Sequence, residues 1–167
     1  TLDCPDLIHI PLSGMIIGEE ESGQLIRAAG EADVVVIGPG LGTESHDVIL
    51  RVAAAAQRAV IDADPLRLPL PKGGETIYTP HPGEFARAFE GEPAGDPKKD
   101  AVVVRDTCPE SASTLLKGET DIISDGRQVR FNRTGVAAMT VGGTGDILAG
   151  VAAALFCRMP AFEAATV

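Results

Sequence analysis

VVVIGPGLGTES, residues Val34 to Ser45, is the stretch from which the fold follows. Val34 to Ile37 is a continuous β-branched run, which reads as a strand buried on both faces, as in a parallel sheet covered by helices. It ends in Gly38-Pro39-Gly40-Leu41-Gly42, a tight turn, after which Thr43 or Ser45 caps a helix through about Arg58. Strand, short loop and helix in that order are the repeating unit of an α/β fold.

Working outward, the alternation continues. Leu7–Pro11 reads as a short strand and Glu20–Ala29 as a helix. Ala59–Ile61 is a second buried strand, ending at Asp62-Ala63-Asp64-Pro65. Thr76–Tyr78 is a third, and Thr79-Pro80-His81-Pro82-Gly83-Glu84 turns into a short helix ending near Gly91. Gly91–Pro97 is a surface loop. Ala101–Arg105 has strand propensity, but its place between Asp96 and Pro109 favours a helix separating two strands. Ser113–Leu116 is a strand running into Lys117-Gly118, and Asp121–Ser124 and Gln128–Asn132 flank Asp125-Gly126, a two-residue hairpin signal. The expected architecture is a mostly parallel sheet with helices on both faces. The chain begins at Thr1 and stops in the apolar, Ala-rich run Met159–Val167, so residues 1–167 are expected to be a partial domain, truncated at both ends.

Bulk properties narrow the classes. A chain of 167 residues, 44% hydrophobic, can bury a real core. No run approaches the roughly 18 apolar residues of a membrane span, and no basic segment followed by an apolar one suggests export. Cys4, Cys108 and Cys157 are odd in number, far apart and outside any CxxC spacing, so they read as reduced thiols of a cytoplasmic protein. A net charge of −10 argues against nucleic acid or anionic lipid as partner. An anionic nucleotide must then be held by local donors and by magnesium.

The chemistry is concentrated in NRTGVAAMTVGGTGDILAG, Asn132 to Gly150. Gly142, Gly143, Thr144 and Gly145 lead into the helical run Ile147–Phe156. Side-chain-poor backbone at a helix N-terminus offers unpaired N–H groups and the positive end of a dipole. That is an anion cradle, although the same sequence also describes a glycine loop before a core helix. Asp146 puts a carboxylate beside the cradle. Cradle and base together are what phosphoryl transfer to a hydroxyl requires.

Every distinctive cluster follows a predicted strand, where open parallel sheets bind ligands. IGPGLG (Ile37–Gly42), DAD (Asp62–Asp64), TPHPGEFAR (Thr79–Arg87), LKGETD (Leu116–Asp121) and GGTGDILAG (Gly142–Gly150) occur in that order. Together they resemble the ADP/ATP-dependent NAD(P)H-hydrate dehydratases of the ribokinase-like superfamily, over nearly the whole chain.

The resemblance implies a metabolite-repair lyase. The hydroxyl on the hydrated nicotinamide ring is phosphorylated at the expense of ADP or ATP, with Mg2+, and phosphate then leaves. Hydroxide is the conjugate base of water, pKa about 15.7, whereas phosphate's second pKa is about 6, so phosphorylation makes a far better leaving group. Asp146 matches the catalytic base and also faces the substrate. Gly143, Thr144 and Gly145 match the anion hole. Lys117, Gly118, Glu119, Thr120 and Asp121, with Gly145, match the nucleotide segment. Gly40, Gly42, His81, Glu84 and Asn132 match the substrate mouth, and no residue is assigned as a direct metal ligand. His81 also reads as a surface histidine, and Glu84 either caps its helix or lies near a magnesium water shell. His9 and His46 read as structural.

Two other readings stand beside this one. A small-molecule kinase of the same fold would keep its phosphorylated product, and a non-catalytic fragment would bind nucleotide without turnover. An incomplete sheet edge would need a partner, so that a homo-oligomer is expected, or would be aggregation-prone.

Overall fold

In the computed structural model, residues 11–12, 17–136 and 141–166 are described. The expected strand at Leu7–Pro11 falls almost wholly outside them, as do Cys4 and His9. The strands are β1 (Val35–Ile37), β2 (Arg58–Ile61), β3 (Glu75–Tyr78), β4 (Ala112–Leu116), β5 (Asp121–Ser124) and β6 (Val129–Asn132). They form one sheet in sequence order. β1 to β4 are parallel neighbours, and β5 and β6 extend the sheet antiparallel through the expected Asp125-Gly126 hairpin.

Helices α1 (Glu19–Glu31), α2 (His46–Ala55), α3 (Pro82–Ala88), α4 (Pro97–Thr107), α5 (Thr144–Phe156) and α6 (Ala161–Ala164) flank this sheet. Strand periodicity decides which core each side chain joins. Ile61, Tyr78 and Leu116 pack with Val48 and Val52 of α2, Phe85 of α3 and Val104 of α4. Their strand neighbours Val60, Ile77 and Leu115 turn the other way, onto Ala149, Ala153 and Phe156 of α5 and Phe162 of α6. Helices therefore cover both faces, as expected.

The ambiguous Ala101–Arg105 segment is helical. The Asp96 carboxylate accepts the backbone N–H groups of Lys98 and Lys99, Pro97 opens the first turn, and Ala101 and Val104 face the core. Those N–H bonds, from Lys99 and Lys98, also hold the Asp96 carboxyl below its ordinary pKa.

Two expectations need correction. α2 stops at Ala55 rather than near Arg58, because the Ala56 carbonyl accepts from Gly74 and Arg58 has joined β2. β1 is not buried on both faces: Val36 is 41% exposed, since among the described residues β1 pairs only with β2 and is an edge.

This topology positions a site. The parallel strands β1 to β4 all run toward one edge, ending at Ile37, Ile61, Tyr78 and Leu116. A cavity of about 410 Å3, lined by Glu75, Ser111, Asp125 and Glu163 among others, lies at the opposite edge, where β3 and β4 begin.

Candidate active site

The five loops are tied to one another residue by residue. The Asp62 backbone N–H donates to Ile37 O at 3.0 Å, and Gly42 N–H donates to Asp64 Oδ2 at 3.0 Å. These bonds join the turn after β1 to the turn after β2. The Thr79 hydroxyl donates to Asp62 Oδ1 at 2.8 Å, which brings in the loop after β3. From α3, Arg87 donates to Ala63 O and Leu66 O, bracing a turn in which Ala63 takes the left-handed φ of 58°. The loop after β4 joins through Lys117 N–H, which donates to Pro80 O at 2.8 Å.

Lys117 is the centre of the charge arrangement. Its ammonium donates to Asp62 Oδ1 at 2.8 Å and lies 4.0 Å from Glu84 Oε2. The Asp62 and Glu84 side chains are 3% and 8% exposed, and Lys117 is 22% exposed. One cation thus sits at the mouth of the site above two nearly buried carboxylates. The start of α5 closes the arrangement: a Cβ on Gly145 would stand 3.6 Å from both Lys117 Nζ and Asp62 Oδ2.

The cradle has the geometry that its glycines permit. Gly143 is the N-cap of α5 with φ 91°, a conformation that glycine adopts without steric cost. The Gly145 and Asp146 N–H groups have no acceptor among the described residues, and the exposed Asp146 carboxylate has no partner there either. N–H groups without an acceptor among the described residues at a helix start, with a lysine beside them, have the chemistry to receive an anion.

The remaining residues divide by what already engages them. Gly40 and Gly42 have left-handed φ values of 75° and 65° and face open space. His81 is the N-cap of α3: its Nδ1 accepts from Gly83 and Glu84 N–H, and its ring remains exposed. Glu84 completes this capping box by accepting His81 N–H at 2.8 Å, so the capping alternative for Glu84 is realised. Asp121 accepts from Gly118 N–H and from Asn132 Nδ2, and Asn132 Oδ1 accepts from Thr134. Asp121 and Asn132 therefore brace the Lys117–Asp121 turn, in which Glu119 is exposed and Thr120 half-buried.

Sequence reading did not single out Asp62, Thr79 or Arg87 as members of this cluster. The signal was present in the DAD and TPHPGEFAR motifs that carry them. Among the described residues, no three His, Cys, Asp or Glu side chains are grouped to hold a metal, and no helix is long and apolar enough to cross a membrane.

Comparison with known proteins follows the same lines. A family model described as NAD(P)H-hydrate dehydratase matches residues 2–167. The bifunctional NAD(P)H-hydrate repair enzyme Nnr of Methanospirillum hungatei is 50% identical over 163 residues, covering 98% of this chain and 34% of that protein. An ADP/ATP-dependent NAD(P)H-hydrate dehydratase from Bacillus subtilis, co-crystallized with ATP and Mg2+, matches with a TM-score of 0.64 and 28% identity, over 84% of this chain and 55% of its own. A ribokinase-like superfamily protein from Enterococcus faecalis matches with a TM-score of 0.66 and 25% identity, over 90% of this chain and 58% of its own. The fold is ribokinase-like, and the chain spans about a third of the length of the bifunctional relative.

Proposed function

The chain belongs to the NAD(P)H-hydrate dehydratase family, and on that footing we propose that it carries the phosphoryl-transfer part of a site that dehydrates NADH or NADPH hydrate at the expense of ADP or ATP. The observation that carries this reading is the junction of Asp62, Lys117 and Gly145 at the start of α5, directly before Asp146, whose carboxylate has no partner among the described residues.

In this reading the nucleotide's terminal phosphate lies against the Gly143–Gly145 turn, with Lys117 beside it. Fixed N–H dipoles stabilise charge on the transferring group without reorganising. The substrate hydroxyl attacks phosphorus, the bond to the departing nucleotide breaks, and Asp146 accepts the hydroxyl proton late, once bonding to phosphorus has acidified it. Cleavage of the carbon–oxygen bond then releases inorganic phosphate, and loss of a ring proton restores the double bond. The glycines at 40 and 42, whose Cα atoms face open space, and the exposed His81 ring supply the mouth for the hydrate. Asn132 contributes to it by holding Asp121.

Magnesium fits this site as a nucleotide-borne ion. Such ions keep most ligands from phosphate and water and take few from protein. Asp62 and Glu84 are the acidic side chains beside Lys117, and among the described residues neither belongs to a metal cage. When bound, the ion supplies charge neutralisation for the phosphates. Self-association through the β1 edge, which pairs only with β2 among the described residues, and a cytoplasmic setting complete the proposal.

The test is incubation with hydrated NADH, magnesium and either ADP or ATP, following recovery of dihydronicotinamide absorbance and release of inorganic phosphate. Recovery is expected, and Asp146→Asn is expected to lower it about 10²–10⁴-fold, the range for a lost general base. Because Asp146 is exposed and unpaired among the described residues, the variant should lose no more than about 0.3–1 kcal/mol, the gain of a first-turn carboxylate from the helix dipole, read as a small fall in urea midpoint. A stable phosphoester in place of released phosphate would assign the site to a kinase instead.

A further inference from the structure

We propose that Asp62 is a positioning residue of the phosphate site: its buried carboxylate holds the Lys117 ammonium against the start of α5. The inference rests on the reading of Lys117 as a phosphate ligand and gives a task to Asp62, which that reading names only as a neighbour of Lys117.

Asp62 is fixed at every level. Its N–H is bonded to Ile37 O, its carbonyl packs against Gly38, and its carboxylate is 3% exposed and held by the Thr79 hydroxyl. Lys117 is the opposite kind of group, a point charge on a flexible four-carbon stem that loses rotamer entropy when ordered. A lysine left free at a strand end would have to be ordered by its ligand. Here it is ordered beforehand, at 2.8 Å from Asp62 Oδ1 and 3.6 Å from the Gly145 Cβ position. Thr79 and Lys117 both donate to the same oxygen, Oδ1, so the hydroxyl fixes the carboxylate while the carboxylate fixes the ammonium. Preorganisation of this kind is expressed as ligand affinity.

The experiment titrates magnesium-ADP into the full chain calorimetrically, for the wild type, Lys117→Met, Asp62→Asn and the double variant. Asp62→Asn keeps the shape of the site and removes the charge. Each single variant should weaken ADP binding about tenfold to a hundredfold, the size of one charge-assisted contact, and the double variant should bind no more weakly than Lys117→Met. Such non-additivity is not produced by a purely structural role, whose effect would multiply that of losing the lysine. Multiplied effects would overturn the proposal. So would tighter binding by Asp62→Asn, which would mean that the carboxylate competes with phosphate for the lysine. Thr79→Val, which loosens the carboxylate without removing it, should weaken ADP in the same direction by a smaller factor. It decides the matter alone if Asp62→Asn does not fold, and wild-type affinity in it would count against the proposal. Wild-type affinity in Lys117→Met, or no ADP binding by the wild type, would instead remove the phosphate role of Lys117 and the inference with it.

Discussion

No side chain fits between Gly38 and Asp62: a Cβ built on Gly38 would overlap the Asp62 carbonyl oxygen. The turn after β1 and the turn after β2 are in backbone contact there, and the contact sets where the Asp62 carboxylate stands beneath Lys117. Gly38→Ala forces the two turns apart. Overpacking of this kind costs about 1–3 kcal/mol, measurable as a lower urea midpoint, and ADP affinity should fall with it because Lys117 loses its anchor.

Gly145→Ala separates fold from function. The added methyl would make ordinary van der Waals contact with Asp62 Oδ2 and Lys117 Nζ, each at 3.6 Å, and alanine is the better helix former. Stability should stay at the wild-type value or rise by up to about 1 kcal/mol. The methyl occupies the gap between the helix start and the ammonium, so nucleotide affinity and turnover should both fall. An unchanged nucleotide KM would show that the phosphate lies elsewhere.

His81 has two tasks that a substitution can divide. Its Nδ1 caps α3 while its ring stays exposed at the proposed mouth. Asparagine is a good N-cap, so His81→Asn should keep stability to within a few tenths of a kcal/mol, whereas His81→Ala should lose about 1 kcal/mol. Both variants should raise the KM for the hydrate. Wild-type kinetics in His81→Asn would leave His81 as a cap alone.

Alkaline stability should depend on Cys108. Burial pushes its thiol pKa above the ordinary value of 9.0, against hydrogen bonds from Thr114. The unfolded chain therefore releases this proton before the folded one does. The stability contribution is complete below about pH 9 and is lost as pH rises toward the folded value. The urea midpoint should fall with pH in that window, and Cys108→Ala should reduce the slope. Tyr78, also raised by burial, contributes the remainder at higher pH. Peptide mapping after thiol alkylation should find Cys157, which is exposed, labelled faster in the native protein than the partly buried Cys108, and the difference should vanish on unfolding.

The loops of the site were legible because their signals are local. Gly38-Pro39-Gly40, Asp62-Ala63-Asp64 and Gly142-Gly143 each break a regular pattern just after a strand or before a helix, and parallel topology sends such breaks to one edge. α4 was legible through its cap and proline despite three consecutive valines, Val102 to Val104. The end of α2 was not, since the run Ala53–Ala56 carries no stop signal. It ends where Gly74 claims the Ala56 carbonyl, a partner 18 residues away.

The sequence by itself determined the order of the strands, the hairpin and the glycine turn that opens α5, and it singled out Asp146 as a candidate base, because propensity, capping and glycine chemistry act over a few residues. Tertiary structure alone decided that Val36 lies on an edge, that His81 and Glu84 cap one another, and that Asp62, 55 residues from Lys117, holds its ammonium beside Gly145. Charge pairs depend on distance in space, and only the parallel stacking of β1 to β4 brings those distant turns within reach of a side chain.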